Sequence, residues 1–348
     1  MRHLRTLLFG LWLLFAVQPA SAAAPSSGAI DEGQFVTVGG IEQWITVRGS
    51  DRRNPVMLIL HGGPGFPMSF LAPLYADWEK DFTIVQWDQP ATGATYLRNK
   101  GKPSGPLTIA RYVHDGIEVS LWARAHLGAK KIVLLGTSWG SVLGVEMIHQ
   151  RPDLFSAYVG AAQAVGTRGA LVGYRMALQA ALDRGDAAAI ADLTRVGPPP
   201  YSRFEDFMVR QVHSNPPGLP ATPAQAAMGK ELMSIFTHPD PQARYNAPVT
   251  IPPGFDGGLM EAQHATWKET WSWESAHLGN RFEVPVFIFQ GDADVNTPTS
   301  VTREWFDGIR APAKAFAVIP GAGHDVVLFH AQLLPLLERY VLPVARGR

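Results

Sequence analysis

"KIVLLGTSWGSVLGVEMI", residues 131–148, is an apolar run, a serine held between two glycines, and a second apolar run. Residues 132–135 have the length and continuity of a buried strand, and residues 141–150 are compatible with a helix. Gly136-Thr137-Ser138-Trp139-Gly140 between them reads as a strand–turn–helix junction. There the glycines permit a cramped turn that lifts the serine hydroxyl above the sheet edge. Alone, the five residues also fit a small polar side chain in a tight turn. A serine hydroxyl is a weak nucleophile until a base takes its proton and a third group orients that base, so the choice rests on partners elsewhere.

Outward from this stretch, strands are expected at 34–38 and 41–47, a hairpin through Gly39-Gly40, and at 56–60, 82–86, 158–161, 286–289 and 315–319. From residue 56 onward these are mostly short continuous apolar runs, the pattern of parallel strands covered on both faces. Helical periodicity fills the gaps. In 109–127, Ile109, Val113, Ile117 and Leu121 recur at i+4 behind Thr108, a suitable N-cap. Strand–helix alternation of this kind predicts an α/β fold with a mostly parallel central sheet flanked by helices.

The alternation stops near residue 165 and resumes near 281. Between them lie helical patterns (Leu171, Tyr174, Leu178 and Leu182; Phe204, Phe207, Met208 and Val212). They are broken by "GPPPY", "NPPGLP", "HPDPQ" and "IPPG". The expected division is a core of residues 23–164 and 281–348 with a helical insertion, 165–280, between two core strands.

Partners for Ser138 must follow later strands and reach the same end of the sheet. "FIFQGDADVNTP" offers Asp292 and Asp294, and "AVIPGAGHDVV" offers His324. The resulting order, Ser, Asp, His, is the one associated with α/β-hydrolases. "LILHGGPGF" places His61-Gly62-Gly63-Pro64-Gly65 after the strand at 56–60. Glycines there let backbone N–H groups approach a substrate. Gly63 and Trp139 are the expected oxyanion donors, and His61 is read as a structural hydrogen-bonder.

The 348 residues are 46% hydrophobic and 17% charged, enough for a sizeable core and unlike a disordered chain. With no cysteine, disulfides, Cys-ligated zinc and a thiol nucleophile are excluded. No His-Glu-x-x-His or strand-borne Gly-x-Gly-x-x-Gly is present, so neither a metal nor an organic cofactor is implied. Residues 1–22 carry Arg2, Arg5, an apolar run at 7–17 and Ala20-Ser21-Ala22. The run is too short for a bilayer-spanning helix, which takes about 20 residues, and fits a cleaved secretory signal. Export to the periplasm or beyond, with no stable membrane anchor afterwards, is the expectation. Without Arg2 and Arg5 the chain has 28 basic and 30 acidic residues, a net charge of −2 that favours neither nucleic acid nor an acidic membrane.

"HGGPG", "QWDQPATGAT", "GTSWGS", "GDADVNTP" and "GAGH" occur in the order seen in proline iminopeptidase-like α/β-hydrolases, which this chain resembles over most of 34–348. The resemblance implies Ser138 as nucleophile, Asp294 as acid, His324 as base, and the insertion as a helical cap. It implies an aminopeptidase acting on short peptides. An esterase or lactonase on a small apolar acyl substrate stays open, as does a silent binding protein on the same fold. Two departures stand out. Asp88-Gln89-Pro90-Ala91 replaces the family's Asp-Gln-Arg-Gly, and Trp271-Ser272-Trp273-Glu274 lies later than the family's Trp-Glu element. Trp267, Trp271 and Trp273 either line an apolar pocket or glue cap to core. Glu274 and then Glu269 are the candidates for holding a substrate ammonium, with Glu261 behind them; solvated surface positions are the alternative.

Overall fold

The computed structural model describes residues 28–99, 105–214, 222–236 and 255–347. The expected signal segment, 1–22, and three of the four proline-rich breakers (215–220, 238–242 and 251–254) lie outside them.

All eight expected strands form: β1 (Ile30–Val38), β2 (Ile41–Gly49), β3 (Val56–Leu60), β4 (Thr83–Trp87), β5 (Ile132–Thr137), β6 (Phe155–Ala161), β7 (Val286–Gly291) and β8 (Lys314–Ile319). They make one sheet in the order β1-β2-β4-β3-β5-β6-β7-β8. β1 pairs antiparallel with β2 through Gly39-Gly40, β2 antiparallel with β4, and every later pair is parallel.

Alternation along the central strands feeds two cores. Val56, Leu58 and Leu60 face one side, with α2 (Ile109–Leu127), α3 (Trp139–Gln150) and α9 (Thr299–Gly308). Met57 and Ile59 face the other, with Phe70, Leu71 and Leu333 of α10 (His330–Leu336). Each fully buried large aliphatic side chain contributes roughly 1.5–3 kcal/mol, so both layers hold the sheet. This is the expected α/β architecture.

Helix α2 has its expected bounds, and Thr108 Oγ1 accepts the Arg111 N–H at 3.1 Å. Its buried face, however, is Ile109, Tyr112, Val113, Gly116, Val119 and Ala123, while Leu121 is 40% exposed. With 3.6 residues per turn, a strict i+4 stripe drifts around the helix and leaves the core after two steps.

After α1 (Gly93–Arg98) in the core, the insertion between β6 and β7 carries α4 (Thr167–Arg184), α5 (Ala187–Val196), α6 (Phe204–Ser214), α7 (Pro223–Phe236) and α8 (Phe255–Ser272). The expected apolar stripes need correcting here as well. The buried face of α4 is small, with Gly169, Ala170, Gly173, Ala177 and Ala181 beside Tyr174, and Leu182 is 50% exposed. A Cβ on Gly173 would lie 2.1 Å from Val295 O, so only a bare backbone lets α4 close on the loop after β7. On α6 the inner face is Phe207, Arg210 and Ser214, and Val212 points outward. Helix α7 rests on the core side of the molecule, where Glu231 Oε1 lies 2.9 Å from His330 Nε2.

Candidate active site

Ser138 joins β5 to α3 with φ 52° and ψ −119°, a backbone conformation uncommon for a residue with a side chain. Close packing imposes it. A Cβ on Gly140 would lie 2.1 Å from Leu60 O, and one on Gly136 would lie 2.4 Å from Gly140 O. The flanking glycines thus let the first turn of α3 press against β3. Ser138 N–H donates to Ala161 O at 3.0 Å, fixing the turn to β6.

His324, in the loop after β8, places Nε2 2.7 Å from Ser138 Oγ. Its Nδ1 faces both oxygens of Asp294, which follows β7, at 3.0 and 3.1 Å. Asp294 is 1% exposed. The Asn296 and Thr297 N–H groups each donate to its Oδ1 at 2.8 Å, and the Thr297 hydroxyl donates to Oδ2 at 2.6 Å. Burial pushes the Asp294 carboxyl upward, but the charge and hydrogen bond of His324 and the bonds from Thr297 outweigh it and hold the group below its ordinary value. Burial likewise presses His324 down, and the field and hydrogen bond of Asp294 more than reverse it, leaving the imidazole above its ordinary 6.5. With Asp294 ionised, the network assigns the proton to Nδ1 and leaves Nε2 to accept the Ser138 hydroxyl.

Gly63 and Trp139 stand in the wall of the cavity that contains Ser138 and His324. The Trp139 N–H opens α3, so no carbonyl upstream in the helix can take it. His61 is buried, with Nδ1 2.8 Å from Gly62 O and Nε2 accepting the Gln89 N–H at 3.3 Å. Burial lowers its pKa to about 4, so it is a neutral brace for the loop. Ala91, at φ 57°, takes a left-handed conformation where the resembling family has glycine. Pro90 O accepts the Tyr112 hydroxyl at 3.1 Å.

The cavity measures about 900 Å³ including its mouth. The insertion roofs it with Phe207, Arg210, Trp267, Trp271 and Trp273. The two alternatives for the tryptophans therefore coincide in Trp273, which lines the space while its Nε1–H donates to Glu146 Oε1 of α3 at 2.8 Å. Trp271 packs on Phe207, with ring centroids 5.2 Å apart.

The expectation for the glutamates is corrected. Glu269 Oε2 accepts the Ile109 N–H at the start of α2, at 2.8 Å. Glu274 Oε1 accepts the Thr167 N–H at the start of α4, at 2.9 Å, and the Thr167 hydroxyl as well. Open helix N-termini attract carboxylates, and these two are used there. Neither lines the cavity, nor does Glu261. Among the described residues no Asp or Glu side chain does; the ionisable lining groups are His324 and Arg210. No group of three or more His, Asp or Glu among the described residues could hold a metal ion. Arg210 escapes a reading of the sequence, although its place three residues after Phe207 puts it on the same helix face.

The sheet order, the elbow and the Ser138–His324–Asp294 chain define an α/β-hydrolase. The family described as alpha/beta hydrolase fold matches residues 55–331, and the chain belongs to it. Within that family the likeness is to the proline iminopeptidases. A probable aminopeptidase of Bacillus subtilis is 26% identical over 312 residues, 86% of this chain and 92% of the relative. A proline iminopeptidase-related protein from Thermus thermophilus superposes with a TM-score of 0.60 at 19% identity, over 90% of this chain and 99% of its own. A proline iminopeptidase from Mycobacterium smegmatis gives 0.55 at 19%, over 89% and 98%.

Proposed function

We propose that this α/β-hydrolase is a serine hydrolase working through an acyl-enzyme, with short peptides as substrates. The observation that carries the reading is the continuous hydrogen-bonded chain from Ser138 Oγ through His324 to Asp294. Ser138 Oγ attacks the scissile carbonyl carbon as its proton passes to His324 Nε2. The Gly63 and Trp139 N–H groups hold the oxyanion of the tetrahedral intermediate. The intermediate collapses, and Nε2 gives its proton to the departing amine. Water then adds to the acyl carbon, losing a proton to Nε2, and Ser138 leaves with that proton as the acid product forms. Asp294 keeps the imidazole in the productive tautomer and stabilises its charged form.

Peptide substrates are supported by the aminopeptidase and iminopeptidase names of the relatives. A second reading, an esterase on a small acyl substrate, draws support from the engagement of Glu269 and Glu274 at helix starts. An aminopeptidase must hold a substrate ammonium, and desolvating that charge calls for a carboxylate. Aminoacyl arylamides compared with p-nitrophenyl esters separate the two. A fluorophosphonate should label Ser138, and Ser138→Ala should abolish labelling and slow turnover at least ~10³-fold. A folded protein that takes no label would instead be a binding protein on this fold. Export is part of the proposal, on the composition of residues 1–22. N-terminal sequencing of the mature protein should begin within a residue or two of Ala23.

A further inference from the structure

Arg210 is 1% exposed, and among the described residues it forms no ion pair. Its Nη1 donates to Gln211 Oε1 and to Asn296 Oδ1, both at 2.6 Å, and Nη2 donates to Val295 O at 3.1 Å. All three acceptors are neutral. Among the described residues no carboxylate pairs with it, and the nearby Asp294 is engaged by His324. A guanidinium has five N–H donors, and the three bonds leave one on Nε and one on Nη2. The Nε–H is buried without an acceptor. Nε and Nη2 share the edge of the guanidinium that grips a carboxylate side-on.

The surroundings point the same way. Trp271 lies over the guanidinium, 5.4 Å from ring centroid to Cζ, and Tyr201 packs edge-on against the same ring. The Tyr201 hydroxyl is also buried and without a partner. An isolated buried charge is costly, and here burial pulls the arginine down to about 10, still protonated at neutral pH. That cost is recovered when an anion binds. The same residue lines the cavity that contains Ser138 and His324, and no described carboxylate lines that cavity.

We infer that Arg210 recognises a carboxylate on the substrate, held in the cap while the scissile carbonyl lies at Ser138. In the peptide reading this is the free C-terminus of a very short peptide; in the ester reading it is the distal acid of a half-ester. The Nε atom is closed to solvent and Nη2 lies close to Gly173 of α4, so the carboxylate reaches this edge with a shift of Trp271. The inference rests on the serine-hydrolase reading and narrows its substrate class.

Two substrate pairs test it: the dipeptide Pro-Ala against Pro-Ala amide, and mono-p-nitrophenyl glutarate against its methyl ester. Wild type should favour the free acid by roughly 10- to 100-fold in kcat/KM in at least one pair, mainly through KM. Arg210→Met should abolish that preference and Arg210→Lys should keep part of it. Because Arg210 also ties α6 to the loop holding Asp294, the ratio within a pair is the readout. Acid and neutral substrates falling together would mean a structural brace and overturn the inference. Wild type without preference in either pair overturns it regardless of how the variants fold. If Ser138 takes the fluorophosphonate label and no preference is seen, this inference alone fails. If Ser138 takes no label, the hydrolase reading fails and this one with it.

Discussion

The Asp292 carboxylate accepts the Gly321 N–H with both oxygens, at 3.1 and 3.0 Å, and so braces the turn that leads to His324. Asp294, two residues on, meets the imidazole itself. Asp294→Asn should therefore cost about 10³- to 10⁴-fold in kcat by favouring the wrong tautomer. Asp292→Asn keeps one oxygen for Gly321 and should cost less than about tenfold. Steady-state kinetics on one substrate decides, and the opposite ranking would make Asp292 the acid.

The sign of the pH dependence follows from His324. It must be neutral to accept the serine proton, and Asp294 raises its pKa above 6.5. Activity should rise with pH through a midpoint above 6.5 and be lost below it, in plots of kcat/KM against pH. In Asp294→Asn the main raising partner is gone and burial remains, so the residual activity should show a lower midpoint. A wild-type profile flat down to about pH 5 is incompatible with this base.

Gly140→Ala places a methyl group 2.1 Å from a backbone oxygen of β3 that has no rotamer to retreat into. Urea denaturation should show a loss of about 3 kcal/mol or more, if the variant folds at all. The same substitution at Gly229, where a Cβ meets nothing within 4 Å, should leave stability unchanged or slightly raised.

Glu269→Ala removes the carboxylate that takes the first N–H of α2, and should cost about 1 kcal/mol of stability. KM for a free-amine prolyl arylamide should not move. A rise of tenfold or more would return Glu269 to the binding site.

The core was readable because its strands carry their own signal. Val56–Leu60 and residues 286–289 are apolar without interruption and buried on both faces. Ser138, Asp294 and His324 were readable because strand ends and glycine turns place them, a local feature of the chain. The insertion was harder, for a physical reason. Helix α4 buries glycines and alanines that fit a close approach, and its Leu182 looks outward. Arg210 has no sequence signature, since what distinguishes it is a counter-charge that tertiary packing withholds. Glu269 and Glu274 misled because a carboxylate suited to an ammonium suits a helix start equally well.

β6 and β7 lie side by side, Tyr158 against Val286, although the entire insertion runs between them in the chain. Closing a loop costs entropy that grows with the logarithm of its length, about 0.6 kcal/mol per doubling. The sheet is therefore nearly indifferent to how much polypeptide is spliced in at that seam. Arg210, Trp267 and Trp271 ride on the spliced segment, whereas Ser138, Asp294 and His324 hang from the strands. Selection can rewrite what enters the cavity without disturbing the groups beneath it, and a foreign roof grafted at the same two junctions would inherit them intact.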